Sequence, residues 1–247
     1  MTKRRVVVNG AEGKMGRLAC ITLARHPDFA LVASLGRGDS LARSITTTNA
    51  EIVVDLTRAD CVYENSRVIM QQGARPVIGT SGLLSEQIVA LRKQCESLLL
   101  GGIIVPNFSI SAVLMMQFAA TAARYLPDVE IIEAHHPHKA DAPSGTAIKT
   151  AELIAEARTQ EKQAYPCTEL FPGALGALCC DVPIHSLRLS GVLAQQDVVF
   201  GQTGETLTLT HRTIDRVSFM PGLILACQQV TALSTLCYGL EHVLNGV

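Results

Sequence analysis

The chain has 247 residues, 48% of them hydrophobic and 17% charged, with a formal net charge of -1 at pH 7. That length and composition support a sizeable buried core in one large or two modest domains and exclude a disordered chain. Near-neutral charge and a 4% aromatic content without tryptophan leave neither the field nor the stacking surface that a nucleic-acid partner requires.

The basic start, MTKRRVVVNGAEGK, meets glycine and charge after a single run of valines, so no export signal is expected. The apolar windows ISAVLMMQFAATAA and LLLGGIIV fall short of the ~20 residues that span a bilayer. The eight cysteines include no CxxC pair. A soluble, cytoplasmic protein with reduced thiols and no membrane partner is therefore expected, with adjacent Cys179 and Cys180 the one pair of note.

From Arg4 onward, β-rich apolar runs alternate with helical stretches: RRVVV then a helix over 15–26, FALVASL, EIVVDL then 60–73, RPVIGT then 85–97, LLLGGIIV then 110–125. Repeated strand–helix units predict an α/β, Rossmann-like doubly wound parallel sheet. After Asn107 the character changes to a strand DVEIIEAHH, a loop, a helix from about 144 to 158, and a Pro/Gly-rich connection through 173. SLRLSGVLAQQDVVF and GETLTLTHRT then read as two long antiparallel strands joined by GQTG. This half is expected to be a second, α+β domain with a mixed, largely antiparallel sheet. The last segment, PGLILACQQVTALSTLCYGLEHVL, reads as one buried helix opening at Pro221. The expected domains are 1–106 with 217–247, and 107–216.

VVVNGAEGKMGR ends a strand and opens a helix, with glycines at 10, 13 and 16. Missing side chains let backbone N–H groups approach a pyrophosphate at the helix N-terminus, where the dipole also favours negative charge. Gly10, Ala11, Glu12, Gly13, Lys14 and Met15 are the expected dinucleotide contacts, although a plain tight turn has the same pattern. The second strand ends in Gly36 and Arg37 rather than in an acid. Arg37 can pair with a 2′-phosphate, so NADPH is expected over NADH, with a solvated surface arginine as the alternative reading. Ligands of open α/β sheets bind at carboxyl ends of strands. Gly79, Thr80 and Ser81, with Val105, Pro106, Asn107 and Phe108, should therefore line the nicotinamide side.

EAHHPHKADAPSGTA, residues 133–147, concentrates histidines, a lysine and two carboxylates ahead of a helix start. Asp141 or a serine can cap that helix, leaving N–H groups at Gly145 and Thr146 for an anion. With Lys139 and the pair His135–His136, the loop suits a small carboxylate-bearing molecule, and one histidine can supply a proton near neutrality. Metal ligation by His135, His136, His138 and Asp141 is the rival. Strand neighbours point to opposite faces and Lys139 would oppose a cation, so no metal is expected.

GAEGKMGR, VIGTSG, PNFS and above all EAHHPHKADAPSGTA resemble the dihydrodipicolinate reductase family, from the glycine loop to about Phe219. The resemblance implies NAD(P)H-dependent reduction of 4-hydroxy-tetrahydrodipicolinate in lysine and diaminopimelate biosynthesis. It assigns His135 as proton donor and Lys139 as its catalytic partner. His136, Ser144, Gly145, Thr146 and Arg216 would bind the dicarboxylate substrate. It further implies a homotetramer assembled by the second domain's sheet, and domain closure over both ligands. Family members often carry an acid where this chain has Gly36, a longer segment between Arg37 and Asp55, and G-E-H where it has Ala194, Gln195 and Gln196. The last change has no account from sequence. Another imino-dicarboxylate dehydrogenase, or a sensor of nucleotide redox state, would keep the glycine loop without the same chemistry.

Overall fold

A computed structural model describes residues 2–160 and 167–244. The Pro/Gly-rich connection therefore lies partly outside the described residues. Two compact units are present: Met1–Ile110 with Phe219–Val247, and Ser111–Ser218. Among the described residues no helix is long and apolar enough to cross a membrane.

In the first unit a six-stranded parallel sheet has the order β2-β1-β3-β4-β5-β11. Its strands are β1 (Arg4–Asn9), β2 (Phe29–Leu35), β3 (Ile52–Asp55), β4 (Arg75–Ile78), β5 (Gly102–Ile104) and β11 (Leu236–Tyr238). The helices are α1 (Lys14–Arg25), α2 (Leu41–Thr48), α3 (Val62–Gln71), α4 (Ser85–Ser97), α7 (Met220–Gln229) and α8 (Glu241–Leu244). Because β2 and β3 flank β1 on opposite sides, right-handed crossovers place the helices on both faces. Chain direction reverses beside β1, and that reversal opens a crevice at the strands' carboxyl ends. Strands of a sheet covered on both faces are apolar throughout, and Val6, Val7 and Val8 are all fully buried. One face packs Val7, Val53, Ile45 and Ile69 together, and Ile78, Leu91, Cys95 and Leu236 continue that core.

One expectation fails here, and one helix was not expected. The C-terminal segment is not one helix: α7 ends at Gln229, Val230–Ala232 forms a 3-10 turn, and Leu236–Tyr238 adds a parallel strand beside β5. The chain becomes extended at Leu233. Gly101 admits it, since a Cβ there would stand 2.2 Å from the Leu233 carbonyl oxygen. Helix α2 was also unforeseen. Its three threonines disguise it, Ser40 Oγ caps it by accepting from Arg43 N, and only Ile45 is buried.

The second unit holds α5 (Ile110–Ala123), α6 (Gly145–Ala157) and a five-stranded sheet of order β10-β9-β6-β8-β7. These strands are β6 (Asp128–His135), β7 (Ala177–Cys179), β8 (Val182–Arg188), β9 (Ala194–Gln202) and β10 (Glu205–Thr213). Only β6 and β8 pair in parallel; the other pairings are antiparallel. The run 186–200, expected as one strand, is two: Gly191, at φ +85°, turns the chain between β8 and β9, which flank β6 on opposite sides. The β9–β10 hairpin is present, with Gly204 at φ +89° in its turn. Helix α6 buries Ala147, Thr150, Ala151 and Ile154 at helical spacing against one sheet face. On the other face Ile132 and Leu187 remain exposed.

All described cysteines are free thiols. Burial pushes Cys95 up to about 11 and Cys227 up to about 12, so these two pack as inert apolar side chains. Cys167 and Cys180 are exposed.

Candidate active site

In the first unit the glycine loop joins β1 to α1. Gly10 sits at φ +88°, and a Cβ there would lie 2.5 Å from the Leu56 carbonyl oxygen; at Gly16 it would lie 2.0 Å from that of Gly10. Only glycine permits this close winding. Gly13 caps α1 without a side chain, and no acid occupies the helix's first turn. The N-terminus of α1 is thus open and electropositive, a cradle that fits a pyrophosphate. Ala11, Glu12, Lys14 and Met15 complete the turn, with Glu12 and Lys14 exposed.

Arg37 is exposed and forms no ion pair with a described residue. Although no acid neighbours Arg37 in sequence, two carboxylates lie beside Gly36. The Glu12 carboxylate covers Gly36, where a Cβ would stand 2.9 Å from its Cδ, and Asp39 Oδ2 accepts from Gly36 N at 2.8 Å.

The other strand ends converge on the same edge of the sheet. Asp55, fully buried at the end of β3, accepts from Asn9 Nδ2 at 3.0 Å, Asn65 Nδ2 at 2.9 Å and the Thr80 hydroxyl at 2.9 Å. The Thr80 side chain is therefore spent on joining β3 to β4. Gly79 packs against Phe108, whose ring a Cβ would strike at 2.5 Å. Val105 and Phe108 are buried, while Ser81 and Pro106 are exposed and Asn107 half-buried. Asn107 Oδ1 accepts from Ser109 N at 2.8 Å.

In the second unit, the period-two alternation of β6 carries Val129, Ile131 and Glu133 inward and brings His135 to the same side at the strand end. Glu133, fully buried, places Oε2 2.5 Å from His135 Nδ1, while Arg188 Nη1 donates to both Glu133 oxygens at 3.1 Å. Burial alone would raise the Glu133 pKa. Hydrogen bonds from Ser186, His135 and Arg188 outweigh it and hold the carboxyl below its ordinary 4.5. Burial lowers His135 below 6.5; Glu133 opposes this, and the Lys139 and Arg188 charges add to it. Together these effects favour the neutral imidazole in the free protein.

Lys139 Nζ donates to both Asp141 oxygens at 2.7 Å, and that contact holds Asp141 below its usual 3.8. Arg188 Nη2 also donates to the Asp141 carbonyl oxygen at 2.6 Å, so the loop is anchored to β8. Asp141 does not cap α6. Ser144 does, its hydroxyl accepting from Ala147 N at 3.2 Å. At Gly145 a Cβ would meet open space. His136 Nδ1 is buried with no hydrogen-bond partner among the described residues. Among those residues, no group of three His, Cys, Asp or Glu side chains is arranged to hold a metal. Arg216 opens a 3-10 turn, Arg216–Phe219, and forms no ion pair with a described residue.

Sequence reasoning missed Glu133, Arg188 and Gln196. Buried Gln196 donates from Nε2 to the Thr150 hydroxyl at 2.7 Å, which itself donates to the Thr146 carbonyl oxygen. The replacement unexplained from sequence thus ties β9 to the first turns of α6. The alternation of Glu133 and His135 on one strand face was the available signal for the first pair; Arg188 reaches them from a strand that sequence did not separate.

A parallel nucleotide-binding sheet with a second unit built on a mixed sheet is a dehydrogenase fold. The chain is similar in fold to myo-inositol 2-dehydrogenase from Lactobacillus plantarum, with a TM-score of 0.62 over 95% of this chain and 91% of that one at 12% identity. More specifically, the chain belongs to the dihydrodipicolinate reductase family: models of its N-terminus and C-terminus match residues 4–108 and 111–244. It is 60% identical over 242 residues to the 4-hydroxy-tetrahydrodipicolinate reductase of Legionella pneumophila (strain Corby), covering 98% of this chain and 100% of that one. The enzyme of the same name from Coxiella burnetii (strain Dugway 5J108-111) is 50% identical over 240 residues, covering 97% and 98%. Dipicolinate-bound dihydrodipicolinate reductase from Paenisporosarcina sp. TG-14 superposes with a TM-score of 0.89 at 42% identity, over 98% of this chain and 100% of that one.

Proposed function

We propose that this chain reduces 4-hydroxy-tetrahydrodipicolinate to tetrahydrodipicolinate, a step of lysine and diaminopimelate biosynthesis. The substrate gains a hydride and a proton and loses one water. A reduced nicotinamide dinucleotide supplies the hydride when bound, its pyrophosphate held by the Gly10–Met15 loop and its nicotinamide side flanked by Gly79, Thr80, Ser81 and the Val105–Phe108 segment.

The chain's own work is to hold two carboxylates and deliver a proton. His136, with its orphaned Nδ1, and the α6 start at Ser144, Gly145 and Thr146, which is open at Gly145, are suited to a carboxylate. Arg216 supplies a second cation. Lys139 exchanges exposed Asp141 for the substrate, at little cost because a solvated ion pair is weak. His135 is the proton donor. Burial favours its neutral form in the free protein, and a dianionic ring raises its pKa, so substrate binding is coupled to proton uptake. The dipicolinate complex of the Paenisporosarcina relative supports a small dicarboxylate ligand.

This reading rests above all on His135 standing at the end of β6, in the same loop as Lys139 and the open α6 terminus. His135→Gln should lower turnover on the order of 10²–10⁴-fold, leaving nucleotide affinity within about twofold. In the native enzyme kcat/KM should fall as pH rises through the His135 value below 6.5, because the protonated form donates. The matching limb of kcat should lie at higher pH. Unaltered turnover in the variant would discard the assignment.

For the cofactor, Arg37 favours NADPH, while the Glu12 and Asp39 carboxylates beside Gly36 suit a free ribose diol and leave NADH acceptable. The open, partly apolar sheet face around Ile132 and Leu187 supports burial between copies in a homotetramer. Family membership supports a cytoplasmic location.

A further inference from the structure

Proton donation fixes which imidazole nitrogen must carry the mobile proton, and the buried carboxylate on the same strand bears on that choice. Glu133 cannot be serving solvent or a ligand, because it is fully buried. Both its oxygens are engaged by Arg188, and Oε2 is also 2.5 Å from His135 Nδ1. Ser186, opposite Glu133 on β8, adds a further hydrogen bond. A carboxylate so surrounded stays ionised and can only accept, so Nδ1 must carry a hydrogen.

We infer that Glu133 is a positioning residue: held ionised by Arg188, it fixes His135 as the Nδ1–H tautomer, so that Nε2 takes up and donates the catalytic proton. This rests on the reading of His135 as proton donor. Among the described residues, the charged groups that act on the imidazole fit the arrangement. Glu133 stabilises the imidazolium, while Lys139 from the loop and Arg188 from β8 oppose it. Ala194 of β9, paired with His135, contributes no charge. The carboxylate thus opposes the downward pull of burial and of the two cations. Arg188 extends the control to the loop, since the same guanidinium grips the Asp141 carbonyl next to the Lys139–Asp141 pair.

The test uses Glu133→Gln, which keeps shape and removes charge, together with nitrogen-15 NMR of the histidines in the unmodified full chain. The native spectrum near neutral pH, with His135 assigned by its loss in His135→Gln, should show the Nδ1–H tautomer. Glu133→Gln should lower kcat on the order of 10²-fold or more with KM changed by less than about threefold. Its falling limb of kcat against pH should move to lower pH, a shift that a purely structural lesion does not produce. Dipicolinate should still bind. An Nε2–H tautomer in the native protein overturns the inference even if the variant fails to fold. So does native turnover with an unmoved pH limb in Glu133→Gln while His135→Gln is inactive. Full turnover in His135→Gln would instead remove the reading beneath it.

Discussion

Glu12 lies where two recognition problems meet. Its carboxylate covers Gly36 beside exposed Arg37, so on the proposed reading one edge of the nucleotide site would offer both a cation for a 2′-phosphate and an acid for a ribose diol. Sequence spacing identified Arg37 and placed Glu12 among the glycine-loop contacts but not beside Gly36, because Glu12 reaches the second strand from the glycine loop and not from the strand itself. Opposed charges predict a divided response. Arg37→Ala should weaken NADPH binding by about tenfold or more and change NADH binding by less than about threefold, as expected for loss of a charge-assisted phosphate contact. Glu12→Gln should shift the ratio of dissociation constants toward NADPH. Calorimetric titration of both nucleotides reads these effects, and an equal loss of both in Arg37→Ala would remove the assigned selectivity.

Helix α6 shows how the start of an element is held in place. Ser144 caps its first turn, Ala147 through Ile154 bury one stripe, and Gln196 locks Thr150 from β9. The helix was legible from its small apolar spacing and the S-G-T start. Its cap was not resolved between Asp141 and Ser144, since either residue type accepts from a first-turn N–H; Lys139 decides by taking Asp141. Ser144→Ala should cost about 1 kcal/mol, a fall in Tm of about 2–4 °C for a chain of this size. The same variant should bind pyridine-2,6-dicarboxylate more weakly. A lowered Tm with undiminished ligand affinity would leave Ser144 a cap and nothing more.

Across the whole molecule, local periodicity revealed whatever local periodicity builds. The strand–helix repeats from β1 to α5 apart from α2, the β6 strand, α6 and the β9–β10 hairpin all carry their own pattern of burial. Pairings between distant segments were hidden. β11 is a three-residue strand whose identity comes only from lying beside Gly102–Ile104, and β8 separates from β9 only because β6 comes between them. The chemical loop was visible for its density of ionisable groups, yet its internal wiring was not, because Arg188 joins it from 55 residues past Glu133. The account as a whole predicts one activity. Freshly generated 4-hydroxy-tetrahydrodipicolinate, added to folded protein with NADPH and in parallel with NADH, should cause substrate-dependent loss of reduced-nucleotide absorbance that pyridine-2,6-dicarboxylate inhibits. No substrate-dependent oxidation of either nucleotide would contradict it.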